Sequence, residues 1–217
     1  MFGPHEKITN TNDLIKQGHL SRLKIKIISL RHNHVKFDSY HEEIDYLVSH
    51  PRRNNFIKNL SLDLSGNTLV LFNYVERHGE PLYELINSHA KDGRRVFFVH
   101  GGIDVKDREE IRSITEKESN AIIIASYGTF STGINIKNLH NVIFASPSKS
   151  RVRNLQSIGR VLRKGENKNT AVLYDIADDT SKDSNNPNYT LRHLFERVKI
   201  YNQENFDYEI INVKLKN

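Results

Sequence analysis

Gln156, Arg160 and Arg163 stand at i, i+4 and i+7 in the stretch Asn154 to Gly165, NLQSIGRVLRKG. On a helix, at about 100° per residue, the three fall within roughly 60° of one another. Two guanidiniums and an amide on one rigid edge suit a polyphosphate, because arginine offers forked donors and stays charged. Gly159 leaves out a side chain beside that stripe, so a ligand or a second domain can approach closely. For the spacing alone, a solvated basic face is the plain alternative. A second stretch, Ser126 to Leu139 (SYGTFSTGINIKNL), reads as a turn in which Gly133 permits a backbone conformation that a β-carbon would disfavour. G-x-x-x-x-G-K-[ST] occurs nowhere, so no loop can cradle the β and γ phosphates with a lysine behind it. Nor does an acidic pair close an apolar strand to hold Mg²⁺. HEEID (His41 to Asp45) precedes a helical run and is structural, and no set of metal ligands is expected.

The elements that must position these groups follow from hydrophobic period. Residues 1–10 read as a linker, and Asn12 can cap a short helix, Asp13 to Gln17, that Gly18 ends. Leu23 to Leu30 alternates Leu23, Ile25 and Ile27 inward against Lys24 and Lys26, which marks a strand. Ser39 and Glu42 have capping-box spacing before a helical set at Ile44, Leu47 and Val48. Pro51 starts a second helix with Phe56, Ile57, Leu60 and Leu64.

From Asn67 strand and helix alternate. TLVLF (Thr68 to Phe72) precedes a helix with Leu82, Leu85, Ile86 and Ala90, closed by Gly93. VFFV (Val96 to Val99) precedes a helix from Asp104 through Lys117. AIIIA (Ala121 to Ala125), VIFA (Val142 to Ala145) and TAVLYDI (Thr170 to Ile176) are further strands, with the basic helix from about Ser150 between the last two. Leu155, Ile158, Val161 and Leu162 form its packing side. Asp178 to Asn188 reads as a mobile polar turn, before a helix with Leu191, Leu194, Phe195 and Val198 and a last strand, Tyr208 to Leu215. Such alternation implies an α/β fold with a mainly parallel sheet, helices on both faces and ligands at the strands' carboxyl ends.

The motif words carry a resemblance. Q-x-x-G-R-x-x-R resembles motif VI of superfamily 2 helicases, STGIN (Ser131 to Asn135) their motif V, and LVLFNYVE (Leu69 to Glu76) their motif IV. Order and separation agree over roughly Asn67 to Asp175, and ASYGTFSTGINIKNLHNV with LQSIGRVLRKG closely resembles the phage branched-DNA helicases of that superfamily. The resemblance implies a RecA-like, doubly wound second domain. ATP and Mg²⁺ would be held mainly by a first domain that carries the P-loop and the D-E-x-H type motif. By position, Arg160 and Arg163 would then be arginine fingers and Gln156 a nucleotide sensor. Gly133 and Asn135 would lie at the ATP side, although an amide at Asn135 is a weaker match than the acidic residue often found there. The nucleic-acid contacts implied are Asn73 and Tyr74, His100, Gly101 and Gly102, Arg108 (HGGIDVKDRE resembles H-G-x-x-x-x-x-R), Ser126 and Thr132.

The partners implied are DNA, branched or single-stranded and sequence-tolerant, and the N-terminal RecA-like domain of the same protein. Residues 1–22 are expected to be linker and short helix, and 23–217 one domain with a helical embellishment at about 39–64. A non-catalytic nucleic-acid-binding or annealing module, or the motor fragment of a restriction-type translocase, stands as the alternative. Composition agrees with a polyanionic partner: 217 residues carry a net charge of +6, with a pI near 9.4. The absence of cysteine excludes disulfides and thiol chemistry. No signal peptide and no run of 18 apolar residues is present, so a cytoplasmic location without membrane contact is expected.

Overall fold

Thr68–Phe72, Ile122–Ser126 and Asn141–Phe144 are buried along their whole length, as strands covered on both faces must be. The computed structural model describes residues 11–133, 136–146, 150, 157–159, 162–163, 170–183 and 185–215. In chain order these contain α1 (Thr11–Lys16), β1 (Arg22–Arg31), α2 (Tyr40–Ser49), α3 (Pro51–Asp63), β2 (Thr68–Phe72), α4 (Glu80–Asn87) and β3 (Val96–Val99). There follow α5 (Val105–Lys117), β4 (Ile122–Ser126), α6 (Tyr127–Gly133), β5 (Asn141–Phe144), β6 (Thr170–Asp179), α7 (Tyr189–Gln203) and β7 (Tyr208–Lys214).

The seven strands form one sheet in the order β3-β4-β2-β5-β6-β1-β7, and every pairing is parallel. Its two faces bury different sets of side chains. Val70, Phe72, Ile122, Ile124 and Ile143 meet Ile57 of α3 with Leu82 and Ile86 of α4. Leu69, Leu71, Ile123, Val142 and Phe144 meet Tyr127 and Phe130 of α6, Leu194 and Tyr201 of α7, and Ile158 and Leu162. This is the doubly wound, RecA-like architecture expected, with helices on both faces.

Buried polar groups fix how the outer helices dock. Asp175 on β6 accepts Arg197 Nε and the Tyr201 hydroxyl of α7, each at 2.8 Å, and all three residues are fully buried. Glu43 of α2, also fully buried, accepts Tyr189 N at 2.8 Å, Thr190 N at 2.7 Å and Thr190 Oγ1 at 2.6 Å, so it caps α7 from another helix. HEEID lies inside α2 and not ahead of the helical run as expected, and its Glu43 has a structural role there.

Several local expectations need correction. The segment at Ser126 begins a helix, α6, directly after β4, because Tyr127 and Phe130 must reach the core. α4 stops at Asn87, ahead of Ala90, and Gly93 lies in the following turn at φ +72. It is preceded by a π-helical segment, Val75–Gly79, that no periodicity announced. Asp178 belongs to no mobile turn: β6 runs through Asp179, Asp178 is fully buried, and Asn188 Nδ2 donates to its carbonyl at 3.1 Å. The capping box at α2 is also skewed, since Ser39 Oγ accepts Glu42 N at 3.2 Å while Glu42 Oε2 accepts the N–H of Asp38 at 2.9 Å.

Arg197→Met strands the buried Asp175 carboxylate and is expected to cost about 3–5 kcal/mol in urea unfolding. A loss below about 1 kcal/mol would contradict the pairing as the anchor of α7.

Candidate nucleic-acid interface and nucleotide-facing edge

Because β3, β4 and β2 are adjacent, with strands about 4.8 Å apart, their carboxyl ends bring His100, Ser126 and Asn73 side by side. Ser126 is nearly buried and caps α6: its Oγ accepts Thr129 N at 3.3 Å and lies 2.8 Å from Thr129 Oγ1. The His100 ring lies 5.0 Å from Phe98, and its Nδ1 accepts Gly102 N at 3.2 Å, which folds the HGG segment back on itself. A β-carbon at Gly101 would stand 4.0 Å from Thr129 Oγ1, so this loop runs beside the start of α6. Gly101, Gly102 and Gly128 are exposed, and nothing lies within 4 Å of a β-carbon built on Gly128. Backbone is therefore open to close approach along this rim, which suits a phosphodiester chain read without regard to base. Gly128 was not singled out from sequence; its place in the first turn after a buried strand was the available signal.

Tyr74 carries the Arg77 guanidinium 5.1 Å from its ring centre, and Arg77 also pairs with Asp45 of α2. Arg108 is the fourth residue of α5, half-buried, and its buried Nε has no hydrogen-bond partner among the described residues. The first turn of α5 is already served, since Asp104 Oδ1 accepts Lys106 N at 2.9 Å. Thr132 and Gly133 lie at the end of α6.

Of the basic helix, residues 157–159 are helical, and Leu162 N donates to Ile158 O at 3.0 Å. Ile158 and Leu162 are buried in the core while Arg163 is exposed, which is the division of faces expected from the spacing. A β-carbon at Gly159 would meet nothing within 4 Å, so packing within the described residues does not require the glycine. Ser21 N donates to Leu162 O at 2.9 Å, tying the approach to β1 to this segment. Gln156, Arg160 and Asn135 lie outside the described residues.

A buried polar cluster beneath this edge escaped the sequence reading. Arg53 Nε donates to Asp178 Oδ1 at 2.8 Å and Nη2 to Ala145 O at 2.6 Å, while His32 Nε2 lies 2.9 Å from the same Asp178 oxygen. Burial alone would raise Asp178, yet Arg53 and His32 hold its carboxyl down at about 2. His78, fully buried, is pushed down to about 3 by loss of water, with the Arg53 charge adding to the effect. Arg53 lies four residues before Ile57 and so occupies the apolar stripe of α3, which was the usable signal; His78 lies in the π-helical segment ahead of α4, where that phase does not hold.

The all-parallel sheet with helices on both faces is the RecA-like fold of a superfamily 2 helicase C-terminal domain. The chain belongs to the family described as helicase conserved C-terminal domain, whose model matches residues 52–165. It is 35% identical over 232 residues to the ATP-dependent DNA helicase UvsW of Enterobacteria phage T4, covering 99% of this chain and 45% of that protein. The crystal structure of T4 UvsW superposes with a TM-score of 0.76 at 33% identity, over 91% of this chain and 42% of that one. An ATP-dependent type ISP restriction-modification enzyme, LlaBIII, bound to DNA shares the fold with a TM-score of 0.65 at 16% identity, over 94% of this chain and 16% of that one. The chain thus spans less than half the length of these relatives.

Because His78 stays neutral in the fold, the unfolded chain takes up a proton first as pH falls. Its contribution is complete above pH 6.5 and is lost as pH drops toward 3, at about 1.4 kcal/mol per pH unit. The stability advantage of the natural chain over His78→Asn should therefore shrink between pH 6.5 and 4 in denaturant titrations. A difference independent of pH would show that His78 is not held neutral.

Proposed function

We propose that this chain is the second RecA-like domain of an ATP-dependent superfamily 2 DNA helicase or translocase that acts on branched DNA such as forks, junctions and R-loops. The observation that carries the reading is the division at the basic helix, where Ile158 and Leu162 are buried and Arg163 is exposed beside the open Gly159. An exposed arginine close in sequence to core-packed residues is what a finger needs, because such packing limits how far its backbone can shift. Arg163 and Arg160 stabilise charge on the terminal phosphoryl group across a cleft, and Gln156 senses the nucleotide. Gly133 and Asn135 stand at the nucleotide's other side. ATP and Mg²⁺ are held mainly by the first domain, since this sequence has no P-loop; among the described residues no group of three or more His, Cys, Asp or Glu could hold a metal ion. Bound there, Mg²⁺ supplies neutralisation of phosphate charge.

Asn73, Tyr74, His100, Gly101, Gly102, Arg108, Ser126 and Thr132 form this domain's share of the DNA groove. Binding is sequence-tolerant and weakens steeply with salt, as for other backbone-tracking proteins. Residues 1–22 are the interdomain linker with α1, and 23–217 the domain. Ile15 and Leu20 pack on the core next to the Ser21–Leu162 hydrogen bond, so α1 is docked on the domain that it precedes. The DNA substrate is inferred from the similarity to UvsW, an ATP-dependent DNA helicase, and the branched class from the motif resemblance alone. A cytoplasmic site of action fits the finding that no helix among the described residues is long and apolar enough to cross a membrane. The missing P-loop keeps one other reading open, a binding or annealing module without a motor.

In a protein extended upstream to include a P-loop-bearing first domain, DNA should stimulate ATP turnover, and this chain alone should show none. Arg163→Ala should lower that turnover by about 10³- to 10⁵-fold with no change in thermal midpoint, because the side chain is exposed. Unchanged turnover rejects the finger, and nucleotide-independent DNA binding by the extended protein favours the module.

A further inference from the structure

Hydrogen bonds that involve a side chain join two residues at the end of β5 to four other places in the chain. Ala145 O accepts Arg53 Nη2 of α3 at 2.6 Å, and Ser146 O accepts the Tyr127 hydroxyl of α6 at 3.2 Å. Ser146 Oγ accepts the Asn73 N–H at 3.2 Å and shares a hydrogen bond of 3.1 Å with His78 Nδ1. Ser146 is 3% exposed and His78 fully buried, so water does not compete for these bonds. Three of the four partners adjoin the rim described above: Asn73 lies on it, Tyr127 follows Ser126, and His78 follows Tyr74 within one turn. Onward from Ser146 the chain leads to Gln156, Arg160 and Arg163.

We propose that Ser146 is a coupling residue, transmitting the engagement of nucleic acid at the ends of β2 and β4 to the arginine-bearing segment, with Val75–Gly79 as the element that changes state. The proposal rests on the helicase reading and deepens it. Coupling needs an element with two discrete arrangements that both sites bias. Val75–Gly79 qualifies on geometry: Gly79 N donates to Tyr74 O at 2.9 Å and Glu80 N to Val75 O, a wide five-residue repeat. Such segments are rare, short and frequent at functional sites. Expelling the extra residue would turn what precedes it by about 100° against α4, and Asn73 and Tyr74 are what precede it. The His78–Ser146 bond locks the present arrangement, and Gly79 lets the segment lie flat on β2, since a β-carbon there would fall 2.5 Å from the Phe72 ring.

A purely structural role predicts something different: loss of a hydroxyl would lower stability and leave communication between sites intact. The test uses the full-length protein with both RecA-like domains. The affinity for a mixed-sequence DNA fork is measured with and without a non-hydrolysable ATP analogue, alongside turnover without DNA. Ser146→Ala and Tyr127→Phe each remove only a hydroxyl. Each is expected to cut the nucleotide-dependent ratio of DNA affinities by about fivefold or more, with DNA affinity in the absence of nucleotide and DNA-free turnover unchanged. His78→Asn, which keeps a polar atom near the place of Nδ1, should retain more of the ratio than His78→Leu. Folded Ser146→Ala and Tyr127→Phe proteins with the natural ratio would overturn the proposal, as would parallel loss of ratio, DNA-free turnover and stability. A natural protein with neither ATP turnover nor a nucleotide-dependent DNA affinity would overturn the helicase reading and this proposal together.

Discussion

The bridge from Arg53 to Asp178 and Ala145 is the constraint on which the carboxyl edge of the sheet depends. Those two acceptors belong to the neighbouring strand ends of β6 and β5, and the donor comes from α3. One guanidinium thus sets the spacing of two strands and the seat of a helix at once. Both charges are out of water, so the arrangement holds only while every partner is in place. His32 completes it from the end of β1, giving the edge a rigid floor from β1 across to β5.

On that floor the chemistry divides cleanly. Toward β2, β4 and β3 the rim is glycine and short polar side chains, open to a backbone that need not be read base by base. On the face that carries α6, Ile158 and Leu162 lie in the core while Arg163 is exposed. Ala145 and Ser146 join the ends of β2 and β4 to α3 and to the segment before α4. The helix pair α2 and α3, an addition ahead of the repeating strand–helix units, is wired into this edge through Arg53 and into α7 through Glu43. It therefore acts as a brace for the edge.

What the sequence by itself determined is everything that depends on local period and on motif. The seven strands, the helices between them other than α6, the doubly wound class, the motif order and the missing P-loop were legible, because burial on both faces writes continuous apolar runs and amphipathic helices write a 3.6-residue repeat. The outward display of Arg163 against Ile158 and Leu162 followed from the same repeat. What only the tertiary structure decided are the long-range polar pairings: Arg53 with Asp178, Arg197 with Asp175, Glu43 with the start of α7, and Ser146 with Asn73, His78 and Tyr127. In sequence those residues sit among ordinary charged or polar neighbours, Arg53 beside Arg52 and Asp178 beside Asp179. A buried partner is chosen by where the chain returns in space, and no local period encodes that. The π-helical segment was hidden for a related reason: it comes from the fit of Gly79 against Phe72 across two elements, a contact that exists only once the sheet is built.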